Sequence, residues 1–200
     1  LYTAPAFVAV LSRIIFKELL TKRKVIALVL TLIGISLIVG LSSGGERISI
    51  QGLLIGLGSG LGYALYSIFG KAALNKYHTM TITSYSFLTA SFVMIPLTRL
   101  WTKSHLFSGT KVWLYIFGLG LFPTVLAYLL YTNGLSYIES SKASIIATIE
   151  PVVATAVGVI VYNEVLSIRH LMGMILVIGA IILINKKSNE NDQNKAKLKS

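Results

Sequence analysis

The 200-residue sequence contains no cysteine, three histidines and seven acidic residues. Without cysteine there is no disulfide and no thiolate metal site, although this leaves the compartment open. His78, His105 and His170 lie between apolar runs or at their ends, and no H-E-x-x-H pair exists to hold a metal on one helix face. The serine of Gly58-Ser59-Gly60 lacks the G-x-S-x-G spacing and has no histidine within an apolar run to activate it. A phosphate-cradling loop is missing too, so ATP hydrolysis is excluded and neither an enzyme nor a cofactor is expected. The broadest scarcity is charge. Only 12% of residues are charged and 54% are hydrophobic, against about a quarter charged in soluble domains. With a mean hydropathy of +0.77, a soluble globular domain is excluded.

What is present instead is a series of seven apolar runs, over residues 1–16, 25–41, 51–70, 82–101, 112–134, 144–162 and 170–185. A spanning helix needs about 20 apolar residues, so seven spans occupy roughly 140 positions. The runs are long and uniformly apolar, without the period-two alternation of membrane strands. The expected fold is therefore all-α, a polytopic integral membrane protein whose first partner is the lipid bilayer. In the third run Gly52, Gly56 and Gly60, and likewise Gly58 and Gly62, recur every four residues, which predicts close helix packing. Trp101 and Trp113 bracket the loop between the fourth and fifth runs, as interfacial aromatics do. Residues 186–200, rich in Lys and Asn, read as a disordered solvated tail.

The net charge of +11 suggests nucleic acid at first sight. The basic residues, however, sit between apolar runs and in the tail, not on one face of a folded domain, so no nucleic-acid partner is expected. They read as a topology signal. The tail side holds Lys17, Lys22, Arg23, Lys24, Lys71, Lys76, Lys142 and the five tail lysines; the other side holds Arg47, Arg99, Lys103, Lys111 and Arg169. The C-terminus is thus expected in the cytoplasm of a multi-pass protein of the cell membrane.

An internal repeat is also legible. Pro5 and Pro151, Glu18 and Glu164, and Arg23 and Arg169 are each separated by 146 residues. The first two runs recur as the last two, five spans later, and an odd number of spans turns the second copy over in the membrane. The loop after the first run carries four Lys or Arg where the loop after the sixth carries one, in agreement. Inverted repeats are a transporter signature, with the substrate near the midplane between the halves. Residues 1–43 read as the last two helices of a first copy, 49–185 as a full second copy, and 186–200 as the tail. The sequence opens at Leu1-Tyr2-Thr3 with no Met, inside an apolar run. If the copies are alike, three helices, roughly 95–100 residues, stand before Leu1, and the seven helices here belong to ten.

Thr148-Ile149-Glu150-Pro151-Val152-Val153-Ala154, followed by Asn163-Glu164 and a helix beginning near Arg169, resembles the closing part of an EamA domain. So does its counterpart from Tyr2-Thr3-Ala4-Pro5 to Lys17-Glu18. EamA domains build the drug/metabolite transporter superfamily, and the resemblance covers nearly all of residues 1–185. It implies ten helices around a central cavity, alternating access, cytoplasmic termini, and a small substrate such as an amino acid, sugar, conjugate or drug. Ala4 departs from the pattern where the first copy could have carried a second Glu.

Glu150 is the sharpest candidate, placed about six residues, roughly 9 Å, into the sixth run. A carboxylate there costs a few kcal/mol and marks a pathway, a proton relay or a partner. It either binds a cationic or hydroxylated group, titrates with transport, or serves as a structural carboxylate beside the Pro151 kink. Tyr63, Tyr66 and Ser67 share a helix face by spacing, as do Tyr128 and Tyr131 near Thr124. These hydroxyls either contact substrate or bond between helices. Pro123 and Pro151 are candidate hinges. Arg13 is read as a snorkelling anchor or the partner of a core carboxylate, Lys71 as a snorkelling anchor or an entrance group, and Glu18 and Glu164 as interfacial ion pairs. A secondary transporter of a small metabolite, with or without proton coupling, fits these features; a non-catalytic membrane subunit or scaffold is the alternative.

Overall fold

The computed structural model describes residues 1–40 and 49–186. Arg47 and nearly all of the expected disordered tail lie outside the described residues. Among the described residues nine α-helices follow one another: α1 Ala4–Ile15, α2 Lys22–Val39, α3 Ile50–Ala73, α4 Thr79–Leu97, α5 Thr110–Leu119, α6 Ala127–Tyr137, α7 Ser140–Ala147, α8 Glu150–Tyr162 and α9 Ile168–Asn185. A 3-10 segment, Leu100–Ser108, joins α4 to α5, and a π-helical turn, Gly120–Leu126, joins α5 to α6 within one continuous span. α7 and α8 likewise share the span Ser140–Tyr162. Seven apolar helices result, with no strand among the described residues. Five are long and apolar enough to cross a bilayer; the other two are α1, with 12 residues, and α2, which opens on Lys22, Arg23 and Lys24. The sixth span starts at Ser140, four residues before its apolar run, because Ser140 and Ser141 form a polar first turn.

The offset of 146 residues relates backbone features as well as side chains. α2 spans 22–39 and α9 spans 168–185, so both ends shift by the same number. α1 opens at Ala4 and α8 at Glu150, each with a proline in its first turn, where the missing N–H has no intrahelical partner to lose. Lys17 and Asn163, counterparts, are both left-handed with φ 54°. Each lets the next residue's amide reach back over the helix end: Glu18 N to Ser12 O at 3.3 Å and Glu164 N to Gly158 O at 3.2 Å. Thr21 and Ser167, also counterparts, cap the following helix by accepting from Lys24 N and His170 N.

α2 and α9 pack antiparallel along their length and form the tightest seam of the molecule. The four buried residues of α9, Gly173, Val177, Ala180 and Ile184, are the counterparts of buried Ala27, Thr31, Gly34 and Ile38 on α2. Gly34 meets Gly173, which is the counterpart of Ala27; Ala27 clusters with Ala180, which is the counterpart of Gly34. Such an exchange is what a two-fold axis produces. The backbones touch: a Cβ on Gly34 would stand 2.8 Å from Gly173 O and 2.8 Å from Val177 Cγ2. Between apolar helices in lipid this contact, and not the hydrophobic effect, is what holds the pair. The glycine stripe expected on α3 is different. Only Gly60 is tightly packed, against Thr3 and Ala4, while Gly56, Gly58 and Gly62 have nothing within 4 Å.

At the lysine-rich end, the α1–α2 corner is fastened to α7. The Glu18 carboxylate is buried and accepts the amides of Ser140 at 2.9 Å and Ser141 at 3.2 Å, together with the Ser141 hydroxyl. Lys24, also buried, bridges Glu139 at 2.7 Å and Glu18 at 3.7 Å. The expected interfacial ion pair of Glu18 is therefore foremost a helix cap. Burial alone raises the Glu18 carboxyl, but the Ser141 hydroxyl, the two amides and Lys24 outweigh it and hold it below its ordinary value. Arg13 Nη1 donates to Glu18 O at 3.4 Å with its side chain exposed, so it meets no core carboxylate.

Two outcomes follow for thermal unfolding in detergent. Gly34→Ala or Gly173→Ala lowers stability by about 1–3 kcal/mol through overpacking, whereas Gly58→Ala and Gly62→Ala leave it unchanged. Because the folded Glu18 carboxyl is depressed, its contribution is complete above the unfolded value and fades as pH falls through the folded one. Glu18→Gln accordingly costs roughly 1.5–3 kcal/mol at neutral pH and shrinks the wild-type loss of stability on acidification; an acid limb of unchanged size counts against this cap.

Candidate functional site

The centre of the molecule is set by a broken helix. α7 ends at Ala147 and α8 begins at Glu150, ten residues into a span that starts at Ser140. At 1.5 Å per residue this is about 15 Å along the span. Glu150 thus lies farther from its helix start than the apolar run alone indicates, because the helix starts earlier. In the break the amides turn to tighter i−3 partners, Thr148 N to Ile145 O at 3.2 Å and Ile149 N to Ile146 O at 3.1 Å. Pro151 has no N–H for the carbonyl of Ala147, four residues back. Glu150 occupies the first turn of α8, where the helix dipole favours a negative charge. Its side chain is exposed, yet its charge acts on the phenols of Tyr2, Tyr63 and Tyr128.

The tyrosines of α3 and α6 face one another. Tyr66 OH and Thr132 Oγ1 are 2.6 Å apart, and Ser67 Oγ and Tyr131 OH are 2.8 Å apart. Tyr63 stands against Tyr131 with ring centroids 5.6 Å apart, and Tyr66 against Tyr128 edge-on at 5.1 Å. Phe87 of α4 closes on the other side of Tyr128 at 5.3 Å. Ser67 and Thr132 are fully buried and the four tyrosines half-buried. Tyr63, Tyr66, Ser67, Tyr128 and Tyr131 therefore form one cluster, within electrostatic reach of Glu150. Thr132 and Phe87 belong to it and were not singled out from the sequence. For Thr132 a signal existed, since it lies four residues after Tyr128 and shares its helix face.

Thr124 stands apart from the cluster. Pro123 sits in the π-helical turn and cannot serve the carbonyl of Leu119, four residues back. The Thr124 hydroxyl takes that place, donating to Leu119 O at 2.8 Å, the kind of repair that keeps a broken helix tolerable in lipid. The Thr124 hydroxyl thus mends the Pro123 break. Lys71 departs from expectation as well. Instead of snorkelling, its ammonium donates to Leu135 O and Ile138 O, closing the C-terminal end of α6 with a cation.

A cavity of about 670 Å³ opens between α3 and α4, lined by Tyr66, Phe69, Tyr77, Thr81, Tyr85 and Ser86 among others. Tyr66 thus borders the cavity on one side and the hydroxyl cluster on the other. Among the described residues no three His, Asp or Glu side chains gather at one place. The chemistry on offer is hydrogen bonding, aromatic contact and one carboxylate at a helix N-terminus. Such a set can hold a small polar molecule with an apolar body.

Residues 50–186 match the EamA-like transporter family. Two proteins of Archaeoglobus fulgidus described as uncharacterized transporters are similar to the chain, at 31% identity over 183 residues and 30% over 184. Each alignment covers 92% of this chain, and 64% and 65% of the relative. The uncharacterized transporter YwfM of Bacillus subtilis is 29% identical over 185 residues, covering 92% of this chain and 61% of its own length. The chain thus spans a little under two thirds of these relatives. No solved structure matches it. With seven apolar helices and a family match over most of its length, this multi-pass membrane protein belongs to the EamA-like transporter family of the drug/metabolite transporter superfamily.

Proposed function

We propose that the protein is the larger part of a secondary transporter that moves a small metabolite across the cell membrane by alternating access. The observation that carries this reading is the break between Ala147 and Glu150 inside the span Ser140–Tyr162, which starts α8 with a carboxylate in its first turn. Interrupted helices at the midplane, with backbone ends turned inward, are how secondary transporters build their sites. In this reading α1–α2 and α8–α9 are the inverted copies, and the seam of Gly34 and Gly173 lies on their common axis. The C-terminus is cytoplasmic, as the distribution of lysine and arginine suggests.

Roles for individual groups follow from their chemistry. Glu150 takes an ammonium or hydroxyl of the substrate, and it is the one carboxylate within the described spans, so any proton coupling runs through it. Tyr63, Tyr66, Tyr128 and Tyr131 supply rings and hydroxyls, with Ser67 and Thr132 fixing their rotation. Pro151 keeps the break that exposes Glu150. Pro123 gives the fifth span the irregular turn about which it bends, as π-helical turns often do at functional sites.

In the transporter complete in both repeats, reconstituted in proteoliposomes, Glu150→Gln lowers transport at least about tenfold, a loss of roughly 1.4 kcal/mol or more of stabilisation. It also flattens the pH profile while leaving thermal stability in place. Unchanged transport with an unchanged pH profile removes Glu150 from the mechanism. Tyr131→Phe deletes one hydroxyl and raises KM about two- to tenfold with the fold intact, in line with about 0.5–1.5 kcal/mol per hydrogen bond; a KM equal to wild type takes the tyrosine hydroxyls out of the substrate site.

A further inference from the structure

The cavity between α3 and α4 is separated from the tyrosine cluster by one residue. Tyr66 belongs to both: its hydroxyl meets Thr132, its ring meets Tyr128, and it also forms part of the cavity wall. Glu150, Tyr63, Ser67, Tyr128 and Tyr131 do not line the cavity. Its lining comes from one helix pair, α3 and α4, and the turn that joins them. On α3, Tyr66, Phe69, Gly70 and Ala73 fall on one stripe, and on α4 Ile82, Tyr85 and Ser86 fall on another.

Three properties of these walls bear on what fits between them. First, among the described residues no charged side chain lines the cavity. Lys71, next to Gly70 in the chain, is turned instead to the carbonyls of Leu135 and Ile138. Second, the rings of Phe69, Tyr77 and Tyr85 pair with no other ring among the described residues, so their faces and edges are open to one. Third, hydroxyls are left over. Ser86 and Thr89 return theirs to carbonyls of their own helix, at 2.8 Å each. The hydroxyls of Tyr77, Thr81 and Tyr85 make no hydrogen bond among the described residues. The floor is low: beyond its own helix, a Cβ on Gly70 would meet only Leu135 Cδ1, at 3.9 Å.

We propose that this cavity is a binding site for an uncharged, flat aromatic molecule that carries a hydrogen-bonding group, such as a phenol or an indole. Its volume of about 670 Å³ is in the range of small-molecule sites. The ring packs over Gly70 and Ala73 between Phe69 and Tyr85, and the polar group exchanges hydrogen bonds with Tyr77 and Thr81. A charged ligand would lose its hydration and gain no counterion from these walls. A lipid chain would fill the space but leave the Thr81 and Tyr85 hydroxyls without partners, which is costly away from water. Occupancy requires neither Glu150 nor transport, so this site stands or falls separately from the one proposed above.

The transporter complete in both repeats is placed in lipid nanodiscs and titrated with naphthol, followed by its fluorescence, with protein-free nanodiscs as the partition blank. Binding is expected to saturate above that blank. Tyr85→Ala removes a wall whose side chain is 69% exposed, and Ala73→Phe puts a ring on the floor. Each is expected to weaken binding about tenfold or more, Tyr85→Ala with the thermal midpoint unchanged; that variant decides alone if Ala73→Phe does not fold. Indole competes, naphthoate and decanol compete at least about tenfold more weakly than indole, and Glu150→Gln leaves naphthol binding as it is. The proposal is overturned by binding no greater than the blank, by full binding in Tyr85→Ala, or by naphthoate competing as well as indole. Equal competition by decanol would assign the cavity to a lipid chain, and loss of binding in Glu150→Gln would place the ligand at the carboxylate; either result contradicts the proposal.

Discussion

In the hydrocarbon core no water is available to satisfy a backbone N–H or C=O, so every departure from regular helix must be compensated or must line a polar space. This constraint organises the molecule. Among the described residues, irregular backbone inside the spans lies at two places, both at prolines: the π-helical turn at Pro123 and the break before Pro151. At Pro123 the orphaned carbonyl is served by the Thr124 hydroxyl, and the span continues. At Pro151 the chain instead interrupts the helix and starts a new one with an acidic residue, Glu150, in its first turn.

The second organising fact is the register of 146 residues. It governs helix limits, left-handed residues, caps and the small-residue seam between α2 and α9. Because Gly34 meets the counterpart of Ala27 and Ala27 meets the counterpart of Gly34, the seam is self-complementary. The two pairs have diverged where chemistry demands it. Glu150 stands opposite Ala4, and Lys24 opposite His170. These differences give the second pair a carboxylate in the first turn of α8 and the first pair a buried ion cluster at its end.

Much of this was legible in the sequence because lipid imposes simple rules on it. Long apolar runs located the spans, and three residue pairs at one spacing located the repeat. What the sequence hid was rotation and depth. The polar turn Ser140-Ser141 concealed the true start of α7. Regular spacing of glycine on α3 promised a packed stripe, but the close backbone contact lies at Gly34 and Gly173, isolated glycines with no such pattern. Thr124 looked like a companion of the tyrosines by proximity in sequence; the missing N–H of Pro123 turned it toward its own helix. Lys71 looked like an anchor until the carbonyls of Leu135 and Ile138 were seen within its reach. Thr132, by contrast, shares a face with Tyr128 and could have been named from spacing alone.

The central claim is that the α1–α2 and α8–α9 pairs are copies turned over in the membrane, and the absence of cysteine makes it directly measurable. Leu19 and Val165 are counterparts, both exposed, on the two corners. Single variants Leu19→Cys and Val165→Cys in sealed, uniformly oriented vesicles are treated with a membrane-impermeant thiol reagent. The account predicts that one of the two is labelled from outside and the other only after the vesicles are opened. Labelling of both from the same side would contradict it.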